Sequence, residues 1–479
     1  MLSMDIADLV LATGSQLLEG APSARVEGTV EIDSRKVGAG SVFVAFLGEK
    51  VDGNDFAPAA VEAGASCVVV TREPDAALLA LAHERGCAVV RPQDDDAEEF
   101  LLRLAHEWRA RHPNWLVVGV TGSVGKTTTK DLLRAGIASA RRVHATQGNL
   151  NNLIGLPLTV LSAPDDAEVL VCEMGMNHPN EIRRMAACCA PTLAVITNVG
   201  TSHIGLLGSR ENIARAKAEV VSGMVASGGV EPLLVLTSAN DYTPFIAESF
   251  ARPAGIAVAY VGEREGDDVR ATNVELTGTG DASFTVTCRD GWSRRVTPSV
   301  PGRQVVPDFL LAMAVVEALG LDRDVAADAM AAMPAASMRL AVSESPRGVR
   351  VIDDSYNASP ASMAAALDVL SEMDATGMRV AVLGEMGELG REERRLHGYV
   401  GAYAAAKGLD MLVFVGGDLA GEMAEAARTM GASEDRLQLF PTVDAAVETL
   451  APVFSRGDLV LVKASRSCGL DAFARGVLR

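Results

Sequence analysis

The chain has 479 residues, 43 basic against 62 acidic, for a formal net charge of −19; 48% of it is hydrophobic and 22% charged. At about 150 residues per domain that length suggests roughly three domains with sizeable cores, and the composition excludes disorder over most of the chain. The acidic balance argues against a nucleic-acid binder, whose partner's phosphates need a basic face, and no apolar run approaches the roughly 18–20 residues of a membrane span.

Met1-Leu2-Ser3-Met4-Asp5 carries an acid where a signal peptide needs a base, and the seven cysteines form no CxxC pair and no metal spacing. Both features predict a cytoplasmic protein with reduced thiols. The first zone runs to about Asp96. Its short apolar runs, 41–46, 67–71 and 87–90, alternate with helical patterns and predict a small α/β unit. The acidic run Asp94-Asp95-Asp96 and the polar helix after it read as a solvated boundary and linker.

A second zone opens with a continuous apolar run at 115–120, and similar runs recur at 169–172 and 193–196. Fully apolar strands in repeated βα units predict a parallel sheet covered on both faces. The first strand runs into Thr121-Gly122-Ser123-Val124-Gly125-Lys126-Thr127-Thr128-Thr129, with a helix expected from about Thr127. Small residues there let backbone N–H groups approach phosphate oxygens, Lys126 supplies charge to the β- and γ-phosphates, and the Thr127 hydroxyl is placed for Mg²⁺. The strict pattern has glycine where Val120 stands, with Gly119 and Gly122 present instead. The Gly-Lys-Thr end after a buried strand favours nucleotide binding over a plain glycine-rich helix cap.

Glu173 follows the run 169–172, and an acid at the carboxyl end of a parallel strand suits Mg²⁺ as well as it suits solvent. His203 follows the run 193–196 by a short loop, which puts it on the same sheet edge. In the next helix Ser209 is a natural N-cap, Glu211 and Arg215 pair outward, and Ile213 and Val220 mark the inward stripe. Lys217 falls on that stripe. Such a lysine either snorkels to solvent or has a depressed pKa, and beside a metal a neutral amine can add CO₂ to become a carbamate; from these residues alone, snorkelling is favoured. The third zone begins near Pro334, with apolar runs at 349–352, 380–383, 411–415 and 459–462 separated by alanine-rich helices, a second parallel α/β unit.

Several ordered motifs resemble the Mur ligases: Gly125-Lys126-Thr127, Gly148-Asn149 through Asn152 to Gly155-Leu156-Pro157, Glu173-Met174-Gly175-Met176-Asn177-His178, Thr197-Asn198 through His203, and Ala216-Lys217-Ala218-Glu219. Asp353-Asp354-Ser355-Tyr356-Asn357 through Pro360 to Met363, and Leu383-Gly384-Glu385 through Gly390 with His397, are similar to the branch that adds a dipeptide to a UDP-linked muramoyl tripeptide. Asp33-Ser34-Arg35 and Asp52-Gly53-Asn54-Asp55-Phe56 resemble that family's UDP-sugar recognition domain. The resemblance covers nearly the whole chain.

It implies three α/β domains: UDP-substrate binding over 1–96, a central P-loop ATP-binding domain over 97–334 and a Rossmann-like ligase domain over 335–479. It also implies ATP and Mg²⁺ as cofactors, UDP-MurNAc-tripeptide and D-Ala-D-Ala as substrates, and an acyl-phosphate intermediate; a monomer is expected, although no residue pattern reads out the oligomeric state. Carried over residue by residue, Lys126, Lys217, His203 and Glu173 are catalytic, and Thr127, Glu173, His203 and Lys217 hold metal, Lys217 as a carbamate. Nucleotide falls to Gly122, Ser123, Val124, Gly125, Lys126, Thr127, Thr128, Asn152, Asp308, Arg339 and Asp354. Substrate falls to Ser34, Arg35, Asp52, Gly53, Asp55 and Phe56 in the first domain, and to Asn149, Tyr356, Asn357, Lys463, Ser465 and Arg466.

The chain departs from the family at three places. Ala464 replaces a glycine, Asn54 stands where His is common, and Gly302-Arg303-Gln304-Val305-Val306-Pro307-Asp308 replaces a G-R-H-N-x-x-N run whose Asn contacts adenine. Either Asp308 accepts from the adenine amino group or base selectivity is relaxed. The competing readings are another amide ligase of the superfamily, such as the branch adding the third residue, and a P-loop ATPase or scaffold without ligase activity.

Overall fold

The computed structural model describes residues 1–48 and 50–479. Three sheets follow one another along the chain. The first has five strands in the order Ser15–Glu19, Ala88–Pro92, Cys67–Val69, Val42–Val44, Val30–Glu31, parallel except at its first edge. A separate two-stranded ribbon pairs Leu2–Asp5 with Arg25–Gly28.

The second sheet has nine strands. Its parallel part contains Leu193–Ile196, Leu116–Thr121, Val169–Glu173 and Val143–Ala145 as neighbours, and these strands are apolar because helices cover both faces. It continues through Leu233–Thr237 and Ala257–Gly262 to Val269–Leu276, then into an antiparallel extension, Ala282–Cys288 and Ser293–Val296. That extension was not expected from the apolar runs. Its strands alternate buried and half-exposed residues, the mark of a sheet covered on one face.

The third sheet has six strands: Ala341–Glu344, Arg350–Asp353, Leu459–Lys463, Arg379–Gly384, Met411–Val415 and Leu437–Phe440, parallel except for the first. The four expected runs are all strands. The two edge strands were missed because only one residue of each is deeply buried or none is. In this sheet Glu385 follows the strand Arg379–Gly384, and its Oε1 accepts from Gly417 N at 2.8 Å and Ala420 N at 3.2 Å, at the start of the helix Asp418–Thr429.

The helix after Asp96 corrects one expectation. Ala97–Ala110 is no solvated linker: Phe100, Leu101, Leu104, Ala105 and Trp108 are buried. They pack on the helices Gly155–Leu161 and Glu181–Cys189, and one core runs from Val42 and Val69 through Phe100 to Met185. The acidic turn that suggested solvent binds Arg184, whose guanidinium reaches Glu98 at 2.6 Å and Glu99 at 3.0 Å. The first two units are therefore fused through this helix.

Among the described residues no helix is long and apolar enough to cross a membrane. The seven cysteines form no disulfide, and all but Cys468 are buried.

Candidate active site

The phosphate loop leaves the strand Leu116–Thr121 one residue later than expected and enters the helix Lys126–Ala138. Two glycines make the turn. Gly122 has φ +150° and a Cβ there would collide with Thr197 Oγ1, while Gly125 caps the helix at φ +87°. Register puts Glu173 opposite Val120 on one side and Ile196 opposite Thr121 on the other. The loop thus lies between the acid and the 197–203 segment, at the carboxyl ends of three neighbouring strands.

Asn198 ties these parts together. Its Oδ1 accepts from Val124 N at 3.1 Å and its Nδ2 donates to Val124 O at 3.0 Å, while Ser123 N donates to Asn198 O. Lys126 Nζ donates to Gly122 O at 2.8 Å, closing the loop on itself. Burial pushes the Lys126 amine below its ordinary pKa; Glu173 and Glu388 oppose that and Arg339 adds to it. Glu173 is buried and uses both oxygens: Oε2 accepts from Thr127 Oγ1 at 2.9 Å and Oε1 from Asn151 Nδ2 at 2.8 Å. This hydroxyl–carboxylate–amide group is an oxygen donor set of the kind a hard divalent cation takes.

Lys217 is 1% exposed, so the snorkelling favoured by the residues alone does not occur. Burial, then the charge of Lys126, pushes its amine well below the ordinary value. His203 sits at φ +62° at the head of the short helix Ile204–Leu207, its Nδ1 2.5 Å from Glu388 Oε2. The histidine pulls the Glu388 carboxyl down against its burial. Among the described residues no three His, Cys, Asp or Glu side chains already form a metal cage.

A cavity of about 570 Å³ joins this edge to the third unit. From the phosphate loop it is lined by Ser123 through Thr128, and beside them by Asn149, Asn152, Glu173 and His203. From the other side come Arg339, Asp354, Tyr356, Asn357 and Lys463. Arg339 lies with its guanidinium carbon 4.1 Å from the Tyr356 ring centroid, a cation–π contact rather than a solvated linker position. Lys463, 2% exposed, pairs with Asp354 and donates to Asn357 O at 3.1 Å. Burial pushes the Asp354 carboxyl up despite that lysine.

Other expected residues lie elsewhere or serve differently. Gly122 and Lys217 are beneath the cavity wall rather than on it, and Asn152 Oδ1 accepts from Gly155 N at 2.8 Å, capping the next helix. Ser465 Oγ accepts from Gly387 N at 2.7 Å, and Arg466 is exposed beside Asp471. Ser34, Arg35, Asp52, Gly53, Asp55 and Phe56 do not line the cavity. They form two surface turns: Arg35 pairs with Asp33 at 2.7 Å, and Arg72, which sequence reading missed, binds Asp52 at 2.6 Å and Asp55 at 2.7 Å. Asn54 is the buried clamp of the second turn, donating to Asp52 and Thr71 Oγ1. Asn151, Asn198 and Glu388 were also missed as site residues, although each lies inside a motif already singled out.

Asp308 is 6% exposed in the apolar helix Val305–Ala318, and its carboxyl packs against the Gly125 Cα. Burial pushes it well above the carboxylate range; the neighbouring Thr129 hydroxyl, too poorly aligned for a hydrogen bond, offsets this little. A raised folded-state pKa gives stability that is full below the ordinary carboxylate value near 4 and lost as pH climbs through the folded value. Asp308→Asn, the same shape without the ionisation, is therefore expected to raise the melting temperature more at pH 8 than at pH 5, by roughly 2–4 °C per kcal/mol. Equal gains at both pH values, read by calorimetry, would refute the upward push on Asp308.

Comparison with known proteins agrees with this geometry. The chain matches the models of the Mur ligase family catalytic domain over residues 28–107, the Mur ligase middle domain over 120–316 and the Mur ligase glutamate ligase domain over 338–466. It is 35% identical over 505 residues to the UDP-N-acetylmuramoyl-tripeptide–D-alanyl-D-alanine ligase of Mycobacterium tuberculosis, covering 99% of this chain and 97% of the relative. The enzyme of that name from Bacillus subtilis is 32% identical over 94% of this chain and 93% of its own. A crystal structure of MurF from Acinetobacter baumannii superposes with a TM-score of 0.87 at 28% identity, covering 100% of this chain and 99% of that one. MurF of Thermotoga maritima, solved in complex with ADP, gives 0.77 at 26% identity over 94% and 96%. Such identity over almost the full length of both chains, on the same three-sheet fold, shows that this chain belongs to the Mur ligase family, in its UDP-N-acetylmuramoyl-tripeptide–D-alanyl-D-alanine ligase branch.

Proposed function

We propose that this chain is an ATP-dependent amide ligase that joins D-alanyl-D-alanine to UDP-N-acetylmuramoyl-tripeptide, making the pentapeptide precursor of peptidoglycan. One observation carries the reading: the phosphate loop of the second unit and Arg339, Asp354 and Lys463 of the third line a single cavity. A carboxylate is a poor acyl donor. Its oxygen attacks the γ-phosphorus, ADP leaves, and the resulting acyl phosphate has phosphate as its leaving group. The dipeptide amine then adds to the carbonyl carbon, loses a proton, and phosphate departs.

Little covalent work falls to the protein, so positioning and charge dominate. The N–H groups of Ser123 to Thr127 cradle phosphate oxygens, and Lys126, whose Nζ donates to Gly122 O, offers its charge to the γ-phosphate as negative charge builds there. Arg339 reaches the same phosphates across the cleft. The third unit covers the cavity and keeps water from a hydrolysable acyl phosphate. Magnesium, when bound, screens the phosphate oxygens and polarises the γ-phosphoryl group. Thr127 and Glu173 would offer it oxygen donors, and His203 and a carbamylated Lys217 would supply the others. The exposed turns Asp33–Arg35 and Asp52–Phe56 serve the UDP-sugar. The second and third units of one chain line the cavity together, which supports a monomer, and ATP and a nucleotide-linked sugar as substrates support a cytoplasmic reaction.

The test is ligation with purified UDP-MurNAc-tripeptides and several dipeptides, read by mass spectrometry together with phosphate release. The expected result is a pentapeptide product and one ADP per bond, with phosphate release requiring both substrates. Phosphate release independent of either substrate would make the chain a P-loop ATPase instead.

A further inference from the structure

His203 and Glu388 come from different units, yet both are non-glycine residues held at positive φ, +62° and +61°, and they face each other across the seam. His203 Nδ1 is fully buried, forms no well-aligned hydrogen bond, and has Glu388 Oε2 2.5 Å away. The backbones lock the same contact. Gly205 N donates to Glu388 O at 3.1 Å, and Gly205 and Gly390 approach so closely that a Cβ on the first would lie 2.5 Å from Gly390 N. Ile204, between His203 and Gly205, packs into the core of the third unit.

The loop carrying Glu388 is held by its own unit. Met386 N donates to His397 Nε2 at 2.8 Å, Gly387 N to Ser465 Oγ at 2.7 Å, and Ser465 N to Glu385 O at 3.0 Å. Glu388 is therefore presented ready-made, and reaches His203 only when the third unit sits on the second. A carboxylate beside Nδ1 favours the proton there and leaves Nε2 with its lone pair. Carboxylates of this kind orient metal-binding histidines.

We propose that Glu388 is a positioning residue delivered by domain closure: it fixes the ring and tautomer of His203, so that the metal site is complete only in the closed enzyme. This rests on the reading of His203 as a metal ligand. It makes closure a condition of catalysis and not only a cover against water.

The test uses the full chain with Glu388→Ala, the isosteric Glu388→Gln, His203→Gln and the Ala–Gln double variant. Mn²⁺ affinity is measured by electron paramagnetic resonance in the presence of ADP, the His203 tautomer by ¹⁵N-histidine NMR, and turnover by phosphate release. Glu388→Ala is expected to weaken Mn²⁺ binding and lower kcat by about 10–100-fold, with the KM for the UDP-substrate within about threefold of the parent. The Nδ1–H signal that vanishes in His203→Gln should lose its single-tautomer shift. The double variant should be no worse than His203→Gln alone. Mn²⁺ affinity within twofold of the parent in both Glu388 variants, or losses that multiply in the double variant, would overturn the proposal. If Glu388→Ala does not fold, Glu388→Met, which has no oxygen to accept from Nδ1–H, decides by the same Mn²⁺ criterion. Should the parent fail to ligate, the metal-binding and NMR arms still report on Glu388 separately.

Discussion

Lys217→Ala is expected to lose ligation by on the order of 10²–10³-fold, the scale of removing one preorganised electrostatic group, while the protein stays folded. The helix Arg210–Ala218 is capped by Ser209, which accepts from Asn212 N at 3.1 Å, and its outward pair Glu211–Arg215 is untouched by the substitution. The side chain removed is 1% exposed and carries an amine held well below its ordinary value by burial and by Lys126. Burial disfavours the protonated form of that amine, and a neutral amine adds CO₂ to give an anionic carbamate and one proton. The anion offsets the Lys126 charge and supplies oxygen where a magnesium ion needs it. Two further outcomes separate this from simple packing loss. A short carboxylic acid such as formate should restore part of the activity of Lys217→Ala, and CO₂-depleted parent enzyme should recover on adding bicarbonate. Phosphate release by Lys217→Ala at the parent rate would remove the carbamate from the mechanism.

Lys126→Met is the second large effect. Methionine keeps most of the length and removes the charge, so the loss reports electrostatics rather than shape. Turnover is expected to fall by roughly 10³-fold, with ATP binding weakened much less because the backbone N–H groups of the loop remain. Lys126→Arg should rescue poorly: the guanidinium is a planar fork, whereas the ammonium that donates to Gly122 O is a compact point charge. Single-turnover measurement of ADP formation checks this directly. A Lys126→Met enzyme keeping more than about a tenth of parent turnover would contradict the role.

Local signals were the legible ones. The phosphate loop is set by two glycines and a buried strand next to it in sequence, and Glu173 by its place at a strand end. The helix Ala97–Ala110 carried its signal too: Phe100, Leu101, Leu104, Ala105 and Trp108 fall on one helical face. Its acidic first turn outweighed that stripe only because Arg184, the partner, is 80 residues or more away. Asn151 and Asn152 show the limit. Neighbours in one motif, one bridges to Glu173 and the other caps a helix, and nothing in their spacing distinguishes a strand-facing amide from a cap. Asp308 was read toward adenine from a motif position; it lines the cavity, and its packing against Gly125 is a contact that no spacing in the sequence announces. Glu388 could not be paired with His203 from sequence, because their meeting depends on how two units dock.

The carboxylate of Glu385 at the head of the helix Asp418–Thr429 has one more consequence. In open parallel α/β folds, amides at such a turn are where a pyrophosphate settles. Here the chain fills that socket with its own anion, so what the third unit offers the shared cavity comes from Arg339, Asp354 and Lys463 instead.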